Sequence, residues 1–189
     1  MDQGIFIVLE GIDGCGKSEQ AKLLNEWLLA GGHDVLLTAE PSRNRIGKFI
    51  REVLSGKEEV DPKTLSLLFT ADRVEHLNEI NFALDRGRIV ISERYYYSTV
   101  AYQAAQNVNR DWLLELNSFA REPDLALLID AESGISVKRT TTEEIFENAE
   151  FLQKVRANYL KFDGLTKIDG NRSIDDVFND VKKAVSELL

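Results

Sequence analysis

The sequence predicts an α/β fold, a five-stranded parallel sheet flanked by helices, and three observations point to it. Five short apolar runs (residues 5–9, 35–37, 88–91, 125–129 and 165–168) alternate with longer stretches of helical periodicity. The runs are apolar on both faces, as strands covered by helices above and below must be. The first run also leads straight into Gly11-Ile12-Asp13-Gly14-Cys15-Gly16-Lys17-Ser18, a match to G-x-x-x-x-G-K-[S/T] at a strand-to-helix junction.

Each element has its own signal. After the loop, residues 18–30 read as a helix closed by Gly31-Gly32, since glycine tolerates the left-handed turn that ends helices. Residues 35–37 are the second strand and 46–54 a short helix. Asp61-Pro62 starts a long helix over 62–86, with aspartate as cap and proline at the first position. In it Leu65, Leu68, Leu77, Ile80 and Leu84 form at least one buried stripe. The third strand covers 88–91, and helices follow at 98–105 and 110–120. Glu122-Pro123 punctuates the approach to the fourth strand at 125–129. A helix over 143–162, a strand at 165–168 and a helix over 174–189 complete the chain. There is no internal repeat, low-complexity tract or long linker, so residues 1–189 are expected to form one domain.

A chain of 189 residues has room for a substantial core, and no apolar run approaches the roughly 20 residues of a membrane span. A net charge of −9 argues against broad binding to nucleic acid or to an anionic membrane. The lone Cys15 has no partner for an intramolecular disulfide, and the N-terminus lacks a signal-peptide pattern; both suit a reducing cytoplasm. Within the loop Cys15 reads as a small filler rather than a redox centre. His33 and His76 are isolated and read as surface or helix-face residues, not metal ligands. Trp27 and Trp112 fit helix packing or a dimer surface.

In a parallel sheet a ligand lies over the carboxyl ends of the strands. The loop there is a nest of backbone N–H groups suited to a polyphosphate, with Lys17 placed for the β/γ-phosphates and the Ser18 hydroxyl for Mg²⁺. A ligand-free glycine turn would share the loop's glycines, though not its G-K-S ending. After the other strands come 38–45, Ser92-Glu93-Arg94-Tyr95, Asp130 and Asp169-Gly170-Asn171-Arg172. The N-K-x-D and D-x-x-G motifs of a GTPase are not in place. Leu54-Ser55-Gly56-Lys57 faintly echoes a transporter-ATPase signature, and a glycine-capped helix end explains it better. What remains is a small kinase with a second pocket for a phosphate acceptor. Phe69 and Arg73, four apart, share a helix face where an aromatic plate and a guanidinium suit a flat base. Alone, such a pair is more often core packing plus a surface salt bridge. The carboxylate, arginine, aromatics, hydroxyls and amide of residues 93–103 shift the reading toward an acceptor pocket.

Several spaced motifs then share one resemblance. Asp13-Gly14-x-Gly16-Lys17-Ser18, Glu40-Pro41, Phe69-Thr70-Ala71-Asp72-Arg73, Arg94-Tyr95 with Ser98-Thr99-x-Ala101-Tyr102-Gln103, and Pro123-Asp124-Leu125 leading to Asp130 resemble the thymidylate kinases. Ile145-Phe146-Glu147 and 150–160 are similar to the archaeal branch. The resemblance implies a P-loop nucleoside-monophosphate-kinase fold, transfer of phosphate from ATP to dTMP with Mg²⁺, a homodimer and a cytoplasmic home. It implies that Gly11, Asp13, Gly14, Cys15, Gly16, Lys17 and Ser18 hold the ATP phosphates and that Ser18 and Glu93 serve the metal. Asp13 would take the 3′-hydroxyl of the deoxyribose, Phe69 would stack on thymine, and Arg73 and Gln103 would read its polar edge. Tyr102 would crowd the 2′ position and Arg94 would grip the acceptor phosphate, with Glu40, Pro41, Arg51, Ser98 and Thr99 lining the same pocket. Residues 138–147 would be a lid carrying Arg139, and Asn171 and Arg172 would lie beside adenine. The expected catalytic residues are Lys17, Glu93, Arg94 and Arg139.

The chain departs from this pattern where many family members have Asp at the position of Glu93 and Arg at that of Ala39. Nor is there an arginine inside the phosphate loop, which leaves Lys138, Arg139 or Arg43 to supply the cation. These departures motivate an alternative, a nucleotide-binding regulatory protein of kinase ancestry with weak turnover. A related kinase for another monophosphate is the third reading.

Overall fold

Five parallel strands build one sheet in the order β2-β3-β1-β4-β5. The computed structural model describes residues 4–132 and 149–189. Its strands are β1 (Phe6–Glu10), β2 (Val35–Ala39), β3 (Ile89–Glu93), β4 (Leu125–Asp130) and β5 (Thr166–Asp169). The helices are α1 (Lys17–Ala30), α2 (Arg45–Leu54), α3 (Pro62–Leu84), α4 (Tyr96–Ala105), α5 (Arg110–Leu116), α6 (Ala149–Tyr159) and α7 (Ile174–Ser186). The α/β class and the five parallel strands are those the sequence predicts.

Every strand ends one or two residues beyond its apolar run. The run marks where side chains are buried, whereas the ladder is a backbone property that continues into polar residues. Thus Glu93 is in register with both Leu9 and Ala39, and Asp130 with Asp169. The polar residues expected just after the strands are therefore partly their last members, held by rigid backbone. At the other boundaries the caps act as expected. Asp61 accepts from the Lys63 and Thr64 N–H groups with Pro62 at the first position, and Gly31 caps α1. Helix α5 stops at Leu116, short of residue 120, where Asn117 turns its side chain inward. For the helix expected over 143–162, the described part is Ala149–Tyr159; residues 143–148 lie outside the described residues.

The central strand β1 is wholly buried, because β3 and β4 flank it and helices cover it. Leu24 and Leu28 of α1 and Val177, Val181 and Val185 of α7 join the same core. Two smaller clusters lie apart: Ile50, Val53 and Leu65 between α2 and α3, and Val100, Val108 and Leu113 with Trp112 beside them. Gly47 lets α2 sit directly on the preceding loop, since a Cβ there would fall 2.0 Å from the Ser42 carbonyl oxygen. With β1 between β3 and β4, the chain leaves the sheet at its switch point into the glycine loop, where parallel α/β sheets bind ligands.

Candidate active site

The loop after β1 is shaped by glycines in conformations that other residues resist. Gly11, Gly14 and Gly16 have φ of 148°, 73° and 96°. Cys15 packs beneath them; its Sγ and the Ile129 carbonyl oxygen would lie 2.6 and 2.7 Å from a Cβ on Gly11. The Cys15 thiol is buried, which pushes its pKa up, so it fills space as the sequence suggests. Lys17 opens α1 and folds back over the loop, its Nζ 3.3 Å from the Ile12 oxygen and 3.6 Å from Asp13. Ser18 Oγ donates to Glu93 Oε1 at 2.5 Å. The longer Glu93 side chain thus turns toward Ser18, and no bond joins it to Arg94. A hydroxyl and a carboxylate oxygen are hard ligands of the kind Mg²⁺ takes, so these two residues fit the ion. Among the described residues, no group of three or more His, Cys, Asp or Glu forms a metal cage, and a Mg²⁺ completed by water and phosphate oxygens needs none.

Beside the loop, three predicted residues form one cluster. Asp13 pairs with Arg94 Nη2 through Oδ1 and accepts the Tyr102 hydroxyl through Oδ2 at 2.7 Å. The Asp13 N–H donates back to the Tyr102 oxygen at 3.1 Å, and the Arg94 guanidinium lies 4.9 Å over the Tyr102 ring. Burial alone would raise the Asp13 carboxyl; Arg94 and Lys17 outweigh it and hold it well below the usual carboxylate range. Burial likewise opposes the Arg94 charge, and Asp13 more than restores it. Arg94 has a left-handed backbone, φ 67°, which costs a residue with a side chain about 1–3 kcal/mol. Its Nη1 donates to Ser98 Oγ at 2.9 Å.

The other predicted pocket residues form a deeper network. Arg73 is fully buried; its Nε and Nη2 donate to Glu40 Oε2 at 2.9 and 2.6 Å, its Nη2 to Thr99 at 3.0 Å, and its Nη1 to Asn117. Those bonds engage four of the five guanidinium N–H groups, leaving one at Nη1. The surface salt bridge considered for Arg73 is thus an interior one. Phe69 is half-buried against the Ile50, Val53 and Leu65 cluster. Gln103 is fully buried, and its Nε2 finds no hydrogen-bond partner among the described residues. Pro41 follows Glu40 through a cis peptide, and Arg51 donates from Nη1 to the Pro41 and Ser42 oxygens, both at 2.8 Å. Across the sheet, Asn171 accepts from the Glu132 N–H at 2.9 Å, and Arg172 pairs with Asp180 on α7. Arg139, Lys138 and the expected lid at 138–147 lie outside the described residues.

Several site residues escaped the sequence reading. His76 is a helix-face histidine of α3, buried rather than at the surface: Nδ1 meets Glu40 Oε1 at 3.2 Å and Nε2 meets Thr38 Oγ1 at 2.7 Å. A carboxylate only accepts, so Nδ1 carries the proton in this pair. Asp72 accepts from the Ser42 N–H and hydroxyl, both at 2.6 Å, and fixes the loop that holds Glu40. For Asp130, which the sequence does place after the fourth strand, what was missed is its partner: it takes Arg156 of α6 at 2.5 and 2.9 Å. Glu10 and Tyr159 meet under α4 at 2.9 Å. The usable signal was a polar residue closing an apolar run, as Glu10 and Asp130 both do.

A phosphate loop at the switch point of a five-stranded parallel sheet, with an Arg-Asp-Tyr cluster beside it, defines a P-loop kinase of the nucleoside-monophosphate-kinase fold. The comparisons narrow this further. A family model described as thymidylate kinase matches residues 9–181. A probable thymidylate kinase of Pyrococcus horikoshii is 42% identical over 201 residues, covering 99% of this chain and 98% of that one. One from Methanocaldococcus jannaschii is 40% identical over 185 residues, covering 96% and 95%. The solved thymidylate kinase of Candida albicans superposes with a TM-score of 0.85 at 27% identity, covering 98% of this chain and 92% of its own. The chain belongs to the thymidylate kinase family, which are nucleoside monophosphate kinases.

Proposed function

We propose that this chain transfers the γ-phosphate of ATP to dTMP, giving ADP and dTDP, with Mg²⁺ as cofactor. One observation carries the reading: Asp13 joins the phosphate loop, through Lys17, to the Arg94–Tyr102 pair. Donor and acceptor machinery are therefore neighbours. In the transfer an acceptor phosphate oxygen attacks the γ-phosphorus as the bond to the β–γ bridging oxygen breaks. The chain contributes positioning and charge rather than covalent chemistry.

The residue roles follow from chemistry and placement. Backbone N–H groups of residues 11–18 and the Lys17 ammonium hold the ATP phosphates. Ser18 and Glu93 would hold Mg²⁺, which when bound neutralises phosphate charge. Arg94 holds the acceptor phosphate, and Asp13 accepts from the deoxyribose 3′-hydroxyl beside Tyr102. Phe69 offers a partly open ring for the base, with the remaining Arg73 N–H and the Gln103 Nε2, which has no hydrogen-bond partner among the described residues, toward its polar edge. Both of those side chains are enclosed, so base binding requires the groups covering them to move aside. Glu40, Pro41, Arg51, Ser98 and Thr99 shape this pocket, and Asn171 and Arg172 flank the adenine. We place the lid at residues 138–147, with Arg139 as its cation, within one kinase domain spanning 1–189.

We also read the protein as a cytoplasmic homodimer with no nucleic-acid or membrane partner. Among the described residues no helix is long and apolar enough to cross a membrane. Leu67, Val74 and Phe82 lie 49%, 51% and 59% exposed along one face of α3, an apolar stripe suited to a second copy. Sedimentation of wild type and Val74→Asp checks this: a dimer that the substitution dissociates supports it, and a wild-type monomer refutes it.

The activity test is phosphoryl transfer from Mg·ATP to dTMP, dUMP, UMP, CMP, AMP and GMP, with ADP and product both quantified. Brisk dTDP formation with little from the ribonucleotides is the expected result. Binding of ATP and dTMP without transfer would refute the kinase and favour a regulatory nucleotide-binding protein.

A further inference from the structure

Glu10 ends β1, one residue before the phosphate loop, and its carboxylate is completely buried. Among the described residues no cation is hydrogen-bonded to it. Its Oε1 accepts the N–H of Tyr95 at 2.7 Å and of Ser98 at 3.3 Å. Tyr95 is the N-cap of α4 and Ser98 its third helical residue, and Tyr95 itself makes no side-chain cap. These are the two N–H groups that a capping box satisfies from within a helix. Here one oxygen from a neighbouring strand accepts from both, the Ser98 N–H being shared with the Tyr95 carbonyl oxygen at 3.1 Å. Oε2 accepts the Ser98 hydroxyl at 2.6 Å and the Tyr159 hydroxyl of α6 at 2.9 Å. Ser98 Oγ in turn accepts from Arg94 Nη1.

We propose that Glu10 is a positioning residue, the cap that fixes the start of α4 and, through Ser98, aims Arg94 at the acceptor phosphate. Placing an ionisable group in the interior is costly, and an apolar residue would complete the strand without that cost. An apolar residue would leave the Tyr95 N–H without its Glu10 acceptor, and the Ser98 N–H with only the Tyr95 carbonyl oxygen at 3.1 Å, at the point where Arg94 has a left-handed backbone. Burial raises the Glu10 carboxyl above its usual value, against the hydrogen bonds of Ser98 and the Arg94 charge. Because Glu10 and Gly11 are consecutive, the residue that sets the acceptor arginine is chained to the loop that sets the donor phosphates. Helix α6 is tied to the same point, since the Tyr159 hydroxyl also reaches the Gly11 oxygen at 3.4 Å.

The inference rests on Arg94 being the acceptor-phosphate grip, so the experiment is a double-mutant cycle on the full chain with Glu10→Gln, Arg94→Ala and the double variant. Gln keeps an acceptor for the Tyr95 and Ser98 N–H groups but places an NH₂ where the two hydroxyls donate. Initial rates are measured against dTMP and ATP separately. The expected pattern for Glu10→Gln is a fall in kcat/KM for dTMP of about thirtyfold or more, with the KM for ATP within about twofold, and little further loss in the Arg94→Ala background. A purely structural role would weaken both substrates together, and the losses would multiply in the double variant; that result overturns the proposal while leaving Arg94 in its role. If Arg94→Ala leaves dTMP use intact, the reading of Arg94 fails, and the proposal with it, whatever Glu10→Gln does. Should Glu10→Gln not fold, Tyr159→Phe removes one donor to Oε2 at constant ring volume. It is expected to show the same selective loss at about threefold to tenfold; an unchanged dTMP dependence in that variant overturns the proposal.

Discussion

Replacing Arg73 by alanine tests whether the acceptor pocket is held by an interior ion pair. The side chain is 0% exposed and makes four hydrogen bonds, two of them to Glu40, which is itself 4% exposed. Its guanidinium also lies 5.3 Å over the Tyr95 ring. Without it the Glu40 carboxylate keeps, among the described residues, only the His76 bond, so an almost unpaired carboxylate stays in the interior. Removing one member of a buried pair costs about 3–5 kcal/mol. A domain of this size loses roughly 2–4 °C in Tm per kcal/mol, so the expected fall is roughly 6–20 °C. Differential scanning calorimetry of the ligand-free protein measures it, with urea unfolding as a second probe. Most of the cost comes from the stranded charge rather than the lost contacts, so adding Glu40→Gln to Arg73→Ala is expected to recover part of the Tm. A Tm fall below about 2 °C, or no recovery in the double variant, would refute the buried-pair reasoning.

Gly11→Ala is expected to destabilise the ligand-free protein more than Gly16→Ala, because a Cβ at Gly11 meets Cys15 Sγ and the Ile129 backbone whereas one at Gly16 meets nothing within 4 Å. Equal Tm shifts would refute this steric account. Glu93→Asp withdraws the carboxylate by about 1.5 Å from Ser18, so turnover is expected to fall and the Mg²⁺ needed for half-maximal rate to rise; a rise in turnover would show that the longer side chain is a handicap. Asp13→Asn is expected to cost about 1.5–3 kcal/mol at neutral pH, from lost bonds to charged groups. The folded-state pKa of Asp13 lies below its unfolded value of about 3.9, so its contribution is present above that pH and fades as pH falls further. The Tm gap between wild type and Asp13→Asn should therefore close on the acid side and stay constant across neutral pH; a gap that grows in acid would sink the assignment.

The parts of this protein readable from sequence are those whose physics is local. Alternating apolar runs and helical stretches announce a parallel sheet, and the glycine loop is a contiguous motif whose glycines have φ values that side chains resist. Phe69 and Arg73 fall on one face because they are four apart on α3. What lay beyond reach was burial. Taken alone, the Phe69–Arg73 pair suggested a surface salt bridge, because the partners of Arg73, Glu40, Thr99 and Asn117, are 33, 26 and 44 residues away. His76 looked isolated for the same reason, with Thr38 and Glu40 reaching it from another loop. Glu10 was hidden differently: a polar residue ending an apolar run reads as the end of the strand.

Register explains why such residues meet. Leu9 lies opposite Glu93, Ala39 opposite Glu93, and Glu10 opposite Leu128, so β2 and β3 end level, β1 runs one residue further and β4 two beyond that, all at the same edge of the sheet. Whatever polar residue closes each apolar run is therefore delivered to one edge of the sheet, however far apart the runs are in the chain. A one-residue slip of β3 against β1 would turn Glu93 to the other face and break its bond to Ser18. The site is thus a consequence of the strand register, and the register is imposed by apolar side chains such as Val8, Val90 and Ile91 that never touch it.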